Sequence, residues 1–274
     1  MTATKQHPYH LVDLSPWPIL TSFATLLVAV GGVMVMHEHP LGSMIGWPGV
    51  ALLLYCMYSW WHDVIQEGRR DKAHTREVQH GMRIGMTLLL VSETMFFGAF
   101  FASFFWSWLN PLEVFQDGSP WPVSEGVWPP KEIVPLDPWG LPWFKTLVLL
   151  LSGTAVNWAQ HALGENNVRD TANGLLAAAL LGMTFVGLQG IEYEHAQFAL
   201  TDGIYPAVFY VTTGFHGTHV LIGALFLFVC YLRARNGHFK LGNGHLGFQF
   251  AVWYWNFVDI VWIFLFIFMY LLGS

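Results

Sequence analysis

The chain has 274 residues, 54% hydrophobic and 11% charged, with a formal net charge of −6 at pH 7. A soluble domain carries about 25% charged residues, so the composition excludes an ordinary water-soluble globule and points to a membrane protein. The only two cysteines, Cys56 and Cys230, sit inside apolar runs without a CxxC or CxxH partner, which argues against a disulfide framework or a zinc site.

A membrane-spanning helix needs about 20 mainly apolar residues. The polar start MTATKQHPYHLVDLS carries one lysine and leads into a run long enough to span, so no cleaved signal peptide is expected. That first run is 16–37, and the second, 42–66, ends in WWHDVIQEGRRDKAHT, where indoles at a span end precede a basic stretch. The third, 80–108, holds LLLVSETMFFGAFFASFFW, with the single acid Glu93 near mid-span. Asn110 to Gly140 is too proline-rich for a helix and reads as an irregular loop outside the membrane. Four more runs follow at 141–163, 171–195, 204–232 and 246–271. The pattern predicts an all-α polytopic protein, one transmembrane domain over 1–274 with seven spans.

Seven spans place the N-terminus and connections 2–3, 4–5 and 6–7 on one side. Ten of the 12 basic residues fall there, from Lys5 through Arg69, Arg70, Lys72, Arg76, Arg83, Arg169, Arg233 and Arg235 to Lys240, leaving Lys131 and Lys145 for the other side. By the positive-inside rule the N-terminus faces the cytoplasm or matrix. Glu38, Glu113, Asp117, Glu125, Glu132, Asp137 and Asp202 make the opposite face mildly acidic, either as solvated loop acids or as a surface that steers a cationic partner.

An ionised carboxylate at mid-bilayer costs at least about 2.5–3.5 kcal/mol. Glu93 is therefore expected to be protonated, paired, or turned toward protein; a neutral hydrogen-bonded acid and a proton-related role both remain open. Ser92, Gly98, Ala99, Ala102 and Ser103 around it are small enough to admit another helix closely. Further polar residues fall inside the runs: Asn157 and His161, Gln189, Glu192 and Glu194, His216 and His219, Asn256 and Asp259. Of these, His161, Glu192, His216, His219 and Asp259 are expected to form an intramembrane polar network. His216 and His219 share a helix face, but two ligands do not make a metal site. No metal site, nucleotide loop, nucleophile elbow or nucleic-acid footprint is read from the sequence.

In HPYHLVDLSPWPIL, WWHDVIQEG, VSETMFFGAFFASFFW, GVWPPKEIVPLDPWGLP, LLLSGTAVNWAQHAL, TGFHGTHVLIG and AVWYWNFVDIVWIFLFIFMYLLGS, the chain resembles subunit III of the aa3-type cytochrome c oxidases. The motifs occur in order over essentially the whole length. The resemblance implies seven transmembrane helices in two groups, 1–2 and 3–7, around a V-shaped cleft filled by phospholipids. It implies no metal and no cofactor held by this chain: haem a, haem a3 and copper belong to partner subunits. It also implies direct packing on subunit I, subunit II in the same complex, cytochrome c as substrate of that complex, and support of proton uptake. The membrane would be the bacterial cytoplasmic membrane or the mitochondrial inner membrane.

Trp60, Trp61, Asp63, Glu67, His74, Arg233 and His238 match positions that line the family's cleft or approach lipid headgroups, and Glu93 matches a carboxylate beside it. Where relatives carry histidine this chain has Gln160 and Asn256, which keep hydrogen bonding and lose a titratable group. Gln66 and Asn236 replace basic residues of some relatives. A quinol oxidase subunit III is the sister alternative, but that group typically lacks the first two spans. A free-standing transporter or enzyme using Glu93, Asp259 and the span 6 histidines is the remote one.

Overall fold

The computed structural model describes residues 14–69, 74–110, 127–130, 133–239 and 245–273. Lys5, Arg70, Lys72, Lys131, Lys240, Glu113, Asp117, Glu125, Glu132 and most of the loop after Asn110 lie outside them. Among the described residues the chain is helical, without strands: α1 (Trp17–Met36), α2 (Gly42–Arg69), α3 (Arg76–Leu109), α4 (Leu141–Gly164), α5 (Val168–His195), α6 (Ile204–Arg235) and α7 (Leu246–Leu265), which passes into a π-helical turn (Phe266–Leu271). The described parts of the long loop, 127–130 and 133–140, form no helix, in line with their prolines.

The all-α expectation holds because only a helix satisfies every backbone group within its own segment when no water is at hand. Several helices run past the apolar stretches that announce them. Polar ends such as Arg76–Gln79 and Arg233–Arg235 continue the backbone ladder beyond the apolar runs. Hydroxyls inside the helices follow the same logic: Ser22, Thr94, Ser103, Thr184 and Thr218 each donate to the carbonyl four residues back.

Among the described residues five helices, α1, α3, α5, α6 and α7, are long and apolar enough to cross a membrane by length and composition. α2 and α4 have 28 and 24 residues, so length does not set them apart. Polar content does, and α4 buries the most consequential of its polar residues inside protein.

The chain divides into two compact units, Met1–Ile84 and Gly85–Ser274, with the division inside α3. In the first unit α1 and α2 meet through glycines. A Cβ on Gly31 would fall 2.5 Å from Gly46 Cα, and one on Gly49 would fall 2.8 Å from Leu27 Cβ. The indole of Trp17 donates to Asp63 at 2.6 Å and ties the two helices at the far end.

In the second unit α4 and α5 pack through small residues, with Ser152 donating to the Ala178 carbonyl at 2.9 Å and Gly174 lying against Ala159. Trp255 of α7 is fully buried. Its ring fills a slot whose walls are Gly182 of α5 and Gly223 of α6, where any Cβ would collide with the indole. α3 contributes a row of aromatics, of which Phe97 and Phe104 are buried seven residues apart.

Candidate functional site

The chemistry of the second unit lies in the polar groups that its helices enclose. α4 begins LPWFK, with proline in the first turn where a missing N–H costs nothing. Lys145 closes that turn and falls in phase with Leu149, Ser152, Gly153, Val156 and Ala159, all buried. The helix therefore carries the lysine inward instead of out to the loop side where its charge alone had placed it. Its side chain is 0% exposed.

The Lys145 ammonium has three hydrogens and finds three acceptors: Gln189 Oε1 at 2.6 Å, Glu192 Oε1 at 2.6 Å and the Tyr270 hydroxyl at 3.2 Å. Tyr270 in turn donates to Glu192 Oε1 at 2.7 Å, and Gln189 Nε2 does so at 3.3 Å. Aromatic faces close the site, with Nζ 4.7 Å from the Trp262 ring and 5.0 Å from that of Tyr270. Trp262 Nε1 is anchored on Thr146 Oγ1 at 2.9 Å. The cluster joins α4, α5, α7 and the π-helical turn and carries no net charge, since one ammonium faces one carboxylate. Glu192, near the end of its helix, is 2% exposed and held by Lys145.

Glu93 of α3 meets His219 of α6, with Oε2 3.1 Å from Nε2 and side-chain exposures of 30% and 11%. His219 Nδ1 lies 2.7 Å from the Phe215 carbonyl, an acceptor only, so that nitrogen carries a hydrogen and donates it. One further proton then lies between Nε2 and the carboxyl group. It makes either an acid donating to imidazole or an imidazolium donating to carboxylate, and both forms of the pair are neutral overall. Phe97 and Tyr254 flank the imidazole at 5.1 and 6.3 Å between ring centres.

His216, one turn earlier on α6, is fully buried and donates from Nε2 to the Val258 carbonyl at 3.1 Å, with Phe185 and Trp262 against its ring. Asp259 of α7 is buried with its Oδ2 against Gly153 of α4, where the absence of a Cβ makes room for the carboxyl group. Among the described residues no group of three or more His, Cys, Asp and Glu is placed to hold a metal ion. Cys56 and Cys230 are free and buried.

The five residues expected to form one polar network thus occupy separate places. Glu192 belongs to the lysine cluster, His219 pairs with Glu93, and His216 bonds to backbone. Asp259 lies against Gly153. His161 joins none of them; it stands 77% exposed in the last turn of α4, 3.7 Å from Glu165. Asn157, Gln160 and Glu194 are exposed as well. The member that sequence reasoning missed is Lys145, and its signal was present: it shares the period of the small buried residues of α4, and Glu192 offers an opposite charge.

The residues matched to lipid positions fall as follows. In the first unit Trp60 and Trp61 are exposed, Asp63 holds Trp17, and Glu67 and His74 are half-buried, the His74 ring lying over Gly68. In the second unit the turn after α6 brings His238 N–H to the Arg233 carbonyl at 2.9 Å. The Arg233 guanidinium lies over the Phe239 ring at 5.3 Å and beside Gly247.

Comparison with known proteins gives a match to the family described as Cytochrome c oxidase subunit III over residues 7–274. The "Probable cytochrome c oxidase subunit 3" of Rickettsia bellii is 54% identical over 272 residues, 99% of this chain and 98% of that protein. The "Cytochrome c oxidase subunit 3" of Marchantia polymorpha is 46% identical over 275 residues, 100% of both chains, as is that of Arabidopsis thaliana.

Proposed function

The chain belongs to the cytochrome c oxidase subunit III family, and from that premise we propose that it braces a proton-pumping cytochrome c oxidase and holds phospholipid beside the redox chains. Members of the family are the non-catalytic third subunits of haem–copper oxidases, so the chain is a multi-pass membrane component of a respiratory oxidoreductase complex. The finer reading is that it packs directly on subunit I, with subunit II in the same assembly. Haem a, haem a3 and copper then lie in those partners, and cytochrome c delivers the electrons. The N-terminus faces the cytoplasm or matrix, as the distribution of lysine and arginine favours.

In this reading Trp60, Trp61, Asp63, Glu67, His74, Arg233 and His238 serve lipid headgroups. Arginine and histidine supply donors to phosphate, and indoles sit at headgroup depth. Glu93 with His219 forms a neutral, proton-sharing pair that supports proton uptake by the complex without carrying electrons. The observation that carries the proposal is the family match over nearly the entire chain. The presence of α1 and α2 favours the cytochrome c branch over the quinol branch, which typically lacks them.

Affinity purification of the tagged chain from its native membrane tests the reading. Co-purification of haem a and copper in other, stoichiometric chains is the expected result. Recovery of the tagged chain alone, with haem, copper or iron bound to its own side chains, would overturn it.

A further inference from the structure

The start of α5 and the end of α6 enclose a groove with a volume of about 420 Å3, which none of the groups discussed so far occupies. Arg169 and Asn173 line it from α5, Tyr231 and Arg235 from α6, and the small buried residues Ala172 and Ala234 form its floor. Arg235 is held at the groove by its own helix: Nη1 donates to the Tyr231 hydroxyl at 3.2 Å, and the guanidinium lies 5.9 Å from the centre of that ring. Having accepted this bond, the Tyr231 hydroxyl keeps its own hydrogen to donate. Both arginines are exposed.

Among the described residues no carboxylate lies within 4.0 Å of either guanidinium. The acid next to Arg169, Asp170, is engaged in capping: Asn167 Nδ2 donates to its Oδ2 at 2.6 Å, and its N–H donates to Asn167 Oδ1 at 3.2 Å. The groove therefore offers two permanent positive charges, a phenol and an amide, with no counter-anion among the described residues. Planar guanidinium forks suit the paired oxygens of a phosphate group.

What lies above the groove separates a lipid from a soluble anion. On α6, Leu225, Phe228 and Leu232 are 62%, 41% and 43% exposed and recur at the three- and four-residue spacing that leads on to Arg235. On α5, Leu180 is 59% exposed, two turns from Asn173. A charged pocket thus continues into an apolar lane along the helices, the arrangement that a headgroup with acyl chains requires. Arg233 belongs to a different face, since it lies over Phe239 and beside Gly247 of α7.

We infer that the groove between the start of α5 and the end of α6 binds the phosphate group of an anionic phospholipid, held by Arg169 and Arg235. The site is separate from the Arg233 region and depends on membrane insertion, not on the chain's part in oxygen reduction. A zwitterionic headgroup brings its own cation near the arginines and binds more weakly.

The test uses the intact complex in nanodiscs of phosphatidylglycerol or phosphatidylcholine, with native mass spectrometry counting the lipids retained after release. Arg169→Gln and Arg235→Gln are each expected to weaken phosphatidylglycerol retention roughly fivefold. The double variant should lose one such lipid per complex, with phosphatidylcholine retention unchanged. Unchanged phosphatidylglycerol retention in the double variant would overturn the proposal. Binding of inorganic phosphate alone at these arginines as tightly as the lipid would overturn the lipid assignment. Should the double variant not assemble, a density map of the wild-type complex in phosphatidylglycerol nanodiscs decides. Phosphate density between Arg169 and Arg235 supports the site, whereas an empty groove or an acidic side chain of another subunit refutes it.

Discussion

Lys145 and Glu192 form an ion pair inside the second unit, with 2.6 Å between Nζ and Oε1 and side chains 0% and 2% exposed. Removing one member of such a pair leaves the other charged and shielded from water, at a cost of about 3–5 kcal/mol. Lys145→Met is therefore expected to destabilise the subunit by about that amount. The double change Lys145→Met with Glu192→Gln should recover much of the loss, because no lone charge remains. Thermal unfolding of the purified complex, followed by release of this subunit, measures both. Equal loss in the single and double variants would show that the ammonium and carboxylate are not coupled.

The contact between Glu93 and His219 needs one proton between carboxyl and imidazole but no net charge. Glu93→Gln keeps shape and presents an amide N–H to Nε2, so assembly of the complex should stay near the wild-type yield. Glu93→Lys places a cation against the imidazole and should sharply reduce assembly. Yield of intact complex after solubilisation reads the comparison, and failed assembly of Glu93→Gln counts against the neutral pair.

Trp255 occupies a slot formed by two glycines on neighbouring helices. Gly223→Ala places a Cβ 2.8 Å from Trp255 Cε3, an overpacking expected to cost about 1–3 kcal/mol. Combining it with Trp255→Leu should cost less than the sum of the two single changes, since the smaller side chain vacates the space. Additive losses in thermal unfolding would mean that the two residues are not in contact.

Lipid retention gives a separate check on the headgroup reading. Arg233→Ala, alone or with Trp60→Ala, is expected to lower the phospholipid retained by the purified complex and to quicken its inactivation during turnover. Unchanged lipid content by mass spectrometry refutes this. Because Arg169 and Arg235 lie in a different groove, their variants should leave the Arg233-dependent lipid in place.

The places of the seven helices were legible in the sequence because the signal is local. In a membrane each segment must satisfy its own backbone, so a long apolar run already implies a helix whatever its neighbours are. The anomalies were legible too: an acid amid LLLVSETMFFGAFFASFFW demanded a partner before any partner was known. What the sequence did not reveal is which groups meet. Lys145 looked like a loop cation until the rotation of α4 carried it inward, and Glu93 found its partner 126 residues away. His161, which looked internal, faces out. Arg233 and Arg235, two residues apart, have different surroundings because about 100° of helical turn separates successive residues. Composition and periodicity settle that a segment is helical and how much of it is apolar. Only the packing of helix against helix, through the gaps at Gly153, Gly182 and Gly223, decides which polar atoms come within hydrogen-bond reach.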